Sequence, residues 1–329
     1  MSFAHDSLAV NAKGGTELMK FALQERMEQI APGLLDEFQI FVSRVEEEMD
    51  ETKIRVYWLQ DLPGDPASDH LKNGGWNKFH KLVFSSNWQM QAYVNFYQIP
   101  WSKCVVLHNA ITPVEEHEKP TEGPIRLAYW STPHRGLNIL VPVFDRLSEK
   151  YDIELDVYSS FKLYGWEQRD EQYQELFDQC RNHPKINYHG AVPNEELKKA
   201  IQNAHILAYP SIWTETSCIT LMEAMSAGLL CVHSNLGALH ETAANWTQMY
   251  QYHEDVNQHA GVFYQVLEGA IQNYWDPGIQ SRLASQQSYA NVFYSWNVRQ
   301  YHWKALLESM LDEPRELPKA SGMEFVYRT

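Results

Sequence analysis

Apolar positions along the chain fall into two kinds of run. Short runs rich in β-branched and aromatic residues, over 38–42, 54–59, 81–85 and 104–107, have the length and make-up of buried strands. Other stretches gather apolar residues on one helical side, as Leu18, Phe21, Ala22 and Leu23 do after Gly14 and Gly15, and a second helix is predicted over 88–97. Residues 110–124 interrupt this rhythm with Pro113, Pro120, Gly123 and Pro124 among several charges, and read as a linker. The alternation then resumes, with strands predicted over 125–130, 153–158, 186–189, 206–209 and 229–232 and helices over 136–150, 167–182, 194–203 and 217–227. Beyond Asp255 the pattern is helical. The aromatic segment from Phe293 to Trp303 predicts a helix bridging two domains, and the tail after Pro314 reads as irregular.

Strands that alternate with helices build mostly parallel sheets covered on both faces. At 329 residues the chain exceeds what one core usually serves. The expected architecture is therefore α/β with two Rossmann-like domains. The first spans 1–112, the second 113–295, and a C-terminal helix with a tail, 296–329, packs back towards the first.

Composition narrows the function. With 44% hydrophobic and 21% charged residues the chain is a folded protein rather than a disordered one. Its 11 Trp, 18 Tyr and 13 Phe suit carbohydrate surfaces as well as cores. A net charge of −15 opposes a broad basic face for nucleic acid or an anionic bilayer. No run of about 18 apolar residues predicts a membrane span, and no basic segment leading into an apolar one stands near Met1, so a cytoplasmic location is expected. Cys104, Cys180, Cys218 and Cys231 lack C-x-x-C spacing and read as reduced, mostly buried side chains. The histidines show no H-E-x-x-H spacing and no D-x-D follows a strand, so neither a metal nor a resident cofactor is expected.

The chemistry concentrates in the segment from Tyr209 to Gly228. A strand ends at Tyr209, a loop carries Glu215, and a helix is predicted to start near Ser217 and to stop at Gly228. Ligands of open parallel sheets bind at the carboxyl ends of the strands, where this loop would lie. The amides of Ser217, Cys218 and Ile219 would then open a helix N-terminus suited to a phosphate or a sugar hydroxyl. An acidic residue near a helix start is also favoured by the helix dipole alone. Glu223 fits that plainer account poorly. It lies past the first turn between Met222 and Ala224, where a carboxylate needs partners such as the diol of a ribose.

Two glutamates separated by seven residues, a Pro-Ser after the strand, and E-A-M-S-A-G leading into the next strand together resemble glycosyltransferase family 4, a retaining family of the GT-B fold. Asn235-Leu236-Gly237-Ala238-Leu239-His240-Glu241 is similar to the family's following G-G-x-x-E loop. The resemblance implies two Rossmann-like domains facing across a cleft. It also implies that Glu215 contacts the transferred sugar of a nucleotide diphosphate sugar, and that Glu223 holds the ribose. Thr216, Ser217 and Cys218 replace the usual glycine and aromatic residues after the first glutamate.

Tyr129 to Leu137 resembles the family's strand, basic loop and helix, in which an arginine and a lysine neutralise the departing diphosphate. Arg135 takes the lysine's place, and Thr132 stands near where the arginine belongs. Arg135 matches a diphosphate by its two-pronged geometry, and also reads as a solvated arginine flanking a helix. Gly14-Gly15-Thr16-Glu17 matches the glycine pair that faces the donor phosphates. Met1 to Ala12 is short and polar, so the strand usual before those glycines is reduced or lost and the N-terminal domain is a small one. Val56 to Pro63 is similar to the strand end that often carries an acceptor-side histidine. Gln60 stands there, and Asp61 beside it is both a turn former and the nearest candidate to orient or deprotonate an acceptor hydroxyl. Asn109 matches a structural turn into the linker.

The expected activity is a metal-independent, retaining hexosyltransferase moving a sugar from a nucleotide diphosphate sugar to a sugar, lipid or small-molecule acceptor. A phosphorylase or a nucleotide-sugar epimerase on the same architecture is one alternative. The other, a catalytically inert donor-binding or scaffolding module, is motivated by the short N-terminus, Gln60 and the missing arginine near Thr132.

Overall fold

The computed structural model describes residues 14–115 and 117–317. Residues 1–13, where the sequence leads one to expect a reduced or lost strand, lie outside them. Two compact units emerge, one taking in the described residues of Met1–Ala110 and Trp296–Thr329, the other Ile111–Ser295.

In the first unit, helix α1 (Gly15–Ile30) precedes strands β1 (Phe38–Val42), β2 (Ile54–Leu59) and β3 (Lys81–Phe84), helix α2 (Asn87–Tyr97) and strand β4 (Cys104–Val106). The strands pair in parallel in the order β1-β2-β3-β4. Every residue of β2 is buried, as a strand covered on both faces requires. Helix α2 starts where Ser86 Oγ accepts the Gln89 amide at 3.0 Å, an ordinary N-cap.

The second unit contains β5 (Ile125–Trp130), α3 (Leu137–Ser148), β6 (Ile153–Tyr158), α4 (Gln174–Asn182), β7 (Ile186–Tyr188), α5 (Asn194–Ile201), β8 (Ile206–Tyr209), α6 (Ile219–Ser226), β9 (Leu230–Ser234), α7 (Leu239–Ala243) and β10 (Gln248–Tyr250). Two long helices come next, α8 (Val256–Gln272) and α9 (Pro277–Phe293). All pairs are parallel, in the order β10-β9-β8-β5-β6-β7. The chain builds outwards from β5 through β6 and β7, then restarts on the other side of β5 with β8. This is the doubly wound order of a Rossmann fold, and the reversal between β5 and β8 opens a crevice beyond their carboxyl ends.

Three predicted helices are revised. The segment 167–182 is divided into a 3-10 stretch, Glu167–Tyr173, and α4, because the Asp170 carboxylate is drawn to Ser160 Oγ (2.5 Å) and the Phe161 amide (2.8 Å). The helix expected from Ser217 begins at Ile219, since Cys218 keeps extended backbone (φ −110°, ψ 95°) as its N-cap. The single helix expected over 293–303 is interrupted after Phe293, where Ile111 draws the backbone into a short parallel pairing, its amide donating to the Tyr294 carbonyl at 2.7 Å.

After Ser295 the chain returns to the first unit as α10 (Trp296–Ser309). Trp303, fully buried, meets Trp58 of β2 with ring centroids 4.7 Å apart. Trp303→Ala would leave a large cavity against the central strand. It should lower stability by about 3–5 kcal/mol, read from the shift of the denaturant midpoint.

Candidate active site

Two loops meet at the crevice, one after β5 and one after β8. Their approach depends on Gly136, whose backbone is left-handed (φ +118°) and whose Cβ, if it had one, would sit 2.2 Å from the Pro210 carbonyl oxygen. The loop after β8 is in turn pinned from the far side. Ala238 donates its amide to the Glu215 carbonyl at 2.7 Å, and a Cβ on Gly237 (φ +65°) would lie 2.4 Å from that same oxygen.

With its backbone clamped, Glu215 presents its carboxylate to Arg135. Nη1 of Arg135 donates to Oε1 at 2.7 Å and to Oε2 at 3.0 Å, and the Tyr209 hydroxyl donates to Oε1 at 2.7 Å. Glu215 is 3% exposed, whereas the Arg135 side chain keeps 24% of its surface open. The guanidinium is 5.9 Å from the centre of the half-exposed Trp213 ring. Its Nε is buried and has no hydrogen-bond partner among the described residues. Beside it, His134 stacks on Phe161 (5.3 Å, 12°) and meets Trp213 edge-on (4.7 Å, 89°). Burial, reinforced by the charges of Arg135 and Arg169, pulls the His134 pKa down to about 4, so the ring is neutral at pH 7.

Glu223 occupies the second turn of α6, and its Oε2 accepts the Trp130 indole N–H at 3.2 Å. The Trp130 carbonyl accepts Thr220 Oγ1 at 3.0 Å, so the end of β5 and the start of α6 are tied twice. Burial raises the Glu223 pKa to about 7, against the lowering effects of the Trp130 hydrogen bond and the positive charge of Lys198. Ser217 and Cys218 precede α6, and Ile219 opens it. Ser217 Oγ and Thr132 Oγ1 are buried without hydrogen-bond partners among the described residues.

The remaining sequence candidates lie in the first unit. Asp61 comes after β2, and its carbonyl accepts Gln89 Nε2 at 2.8 Å and the Tyr93 hydroxyl at 3.3 Å. Gln60 and Asn109 exchange amide hydrogen bonds at 3.1 and 2.8 Å, a structural tie between the end of β2 and the chain beyond β4. Gly14 is the N-cap of α1, in backbone open to any residue (φ −69°, ψ 169°), and Gly15 is the first helical residue. Among the described residues no group of three or more His, Cys, Asp and Glu side chains could hold a metal ion, and no helix is long and apolar enough to cross a membrane.

The sequence pattern assigns no role to Tyr209 or His134. The available signal for Tyr209 is its place as the last residue of β8, immediately before the loop that carries Glu215.

Residues 116–268, which include all six strands of this doubly wound sheet, match the family model described as glycosyl transferases group 1. Over these residues the chain is similar to glycosyl transferases group 1. Solved structures of glycosyltransferases share its architecture. A glycosyltransferase from Rickettsia africae ESF-5 superposes with a TM-score of 0.67 at 14% identity, covering 94% of this chain and 85% of its own. Anabaena HepE in complex with UDP-glucose gives 0.60 at 13% identity, covering 78% and 72%. Sucrose-phosphate synthase from Thermosynechococcus elongatus gives 0.57 at 16% identity, covering 78% and 68%. At these identities the likeness establishes the fold, α/β with parallel sheets as in GT-B glycosyltransferases. No curated protein matches the sequence.

Within this domain, the raised pKa of Glu223 makes stability depend on pH. Its folded pKa of about 7 stands above the ordinary 4.5, so its contribution to stability is complete below pH 4.5 and is lost as pH rises through 7. Glu223→Gln should therefore raise Tm at pH 8 by roughly 2–4 °C while weakening nucleotide-sugar binding by about 1–3 kcal/mol. Binding to the unsubstituted protein should strengthen from pH 6 to pH 8 as the carboxylate forms, and the variant should lose that dependence. Thermal melts and titration calorimetry across the range check both signs.

Proposed function

We propose that the protein is a retaining glycosyltransferase that moves a sugar from a nucleoside diphosphate sugar to an acceptor hydroxyl. The observation carrying this reading is the meeting of Arg135 and Glu215 at the β5/β8 crevice of a glycosyltransferase domain. The guanidinium of this partly exposed side chain stabilises charge that develops on a departing diphosphate. The neighbouring carboxylate suits a hydroxyl of the sugar being transferred. Glu223, oriented by Trp130, accepts the ribose diol, and the amides of Cys218 and Ile219 at the start of α6, with that of Ser217 just before it, are assigned to phosphate or sugar oxygens.

The resemblance seen in the sequence assigns Gly14 and Gly15 to the donor phosphates, and Asp61, beside the position of the family's acceptor-side histidine, is the nearest candidate for the acceptor hydroxyl. It also supplies the stereochemistry. The acceptor oxygen forms its bond to the anomeric carbon on the face from which the diphosphate leaves, by positioning and charge stabilisation rather than through an assigned nucleophile. The UDP-glucose held by HepE makes UDP-sugars the first donors to test.

The inert binding module stays as the second reading, because Arg135 is already paired and Thr132 is neutral and buried where a second cation is usual. Both readings expect a nucleotide sugar to bind. Only the transferase should release free nucleoside diphosphate slowly in the absence of acceptor, as water takes the acceptor's place. Release should disappear in Glu215→Ala and fall about a hundredfold in Arg135→Ala. No release from any bound donor, with a wide panel of acceptors present, would favour the inert module.

We further infer that turnover needs no divalent ion, Arg135 taking the charge that a metal would otherwise meet. Activity in excess EDTA should match the untreated rate. Loss in EDTA with recovery on adding manganese would reject this.

A further inference from the structure

Arg135 and Glu215 are each required by the proposed function, and in the free protein they are bound to one another. The carboxylate is almost wholly buried, with both oxygens on Nη1 of Arg135 and one also on the Tyr209 hydroxyl. A diphosphate that takes Arg135 removes the counter-ion of a buried carboxylate and leaves it with Tyr209 alone, an unfavourable state for a charge out of water. An intact nucleotide sugar brings a replacement, because its sugar hydroxyls can donate to Glu215 as its diphosphate accepts from Arg135. Free nucleoside diphosphate brings the anion without the donor.

From this the geometry points to a partner-exchange latch. The Arg135–Glu215 pair makes the site select intact nucleotide sugars over free nucleoside diphosphates, and it expels the diphosphate product once the sugar has left. Glu215 then recaptures Arg135 and closes the cycle. Tyr209 acts as a positioning residue, since it is the partner that stays with Glu215 throughout. The latch rests on the donor reading of this site given above.

Titration calorimetry on the full chain with UDP, GDP and ADP, their glucose conjugates, and inorganic pyrophosphate tests the latch through two substitutions of opposite sign. Glu215→Gln removes the competing charge and keeps the shape. It should bind the free diphosphates and pyrophosphate about tenfold more tightly than the unsubstituted protein and lose the preference for the conjugate. Tyr209→Phe removes the remaining support of the carboxylate. It should weaken free diphosphate more than conjugate and so widen the preference. If the unsubstituted protein binds a conjugate but Glu215→Gln gains nothing for free diphosphate, the latch falls and the donor reading stands. If no conjugate binds the unsubstituted protein, both fall. Should thermal melts show Glu215→Gln unfolded, Tyr209→Phe decides alone, and an unchanged or narrower preference overturns the latch.

Discussion

The candidate site depends on one atom that is missing. Position 136 carries no Cβ, and so the turn after β5 can press against the Pro210 carbonyl, so near that a side chain there would begin 2.2 Å from its oxygen. The consequences run outward from that contact. Because the two loops touch, the guanidinium at 135 reaches the carboxylate at 215, although the residues are remote in sequence. Because Gly237 admits the Glu215 backbone on the other side, the carboxylate cannot retreat. The doubly wound order brings β5 and β8 together, and the glycines decide how closely the loops at their ends can pack.

The product of this packing is a buried charge pair whose electrostatics work in two directions. A carboxylate out of water is stable only while its partners stay, and removing one is far more costly than never having buried the pair. Glu223, nearby in the same domain, is treated otherwise. It has an indole N–H and a distant ammonium instead of a guanidinium, and its pKa rises to about 7. Contact with a cation is what separates the surroundings of the two glutamates on this short segment.

The strands of both sheets were legible because buried parallel strands must be continuous apolar runs, as the fully buried β2 and β8 are. The three-residue β10 was not, since Gln248-Met249-Tyr250 is too short to carry a period. Boundaries moved where a tertiary bond outranked local preference. Ile111 captures the carbonyl of Tyr294 and ends a helical pattern, and Asp170 bonds backwards to the turn before it. The residue types of the site, Glu215, Glu223 and Arg135, could be read from spacing and resemblance. Their mutual pairing could not, because it joins two loops through a glycine contact that no local pattern records. Tyr209 was hidden for the same reason. As the last residue of a buried strand it reads as core, and only the fold turns its hydroxyl to a carboxylate.

The path of α10 bears on how the chain is made. The first unit draws on both ends of the sequence, and Trp303 completes the packing on its central strand. The second unit is one uninterrupted stretch. On a ribosome that emits the chain from its N-terminus, β1 to β4 emerge early yet must wait, with Trp58 uncovered by Trp303, until the whole second unit has been translated. The later-made unit has all its parts first. Nascent-chain capture of the first unit by chaperones should thus last until α10 has emerged.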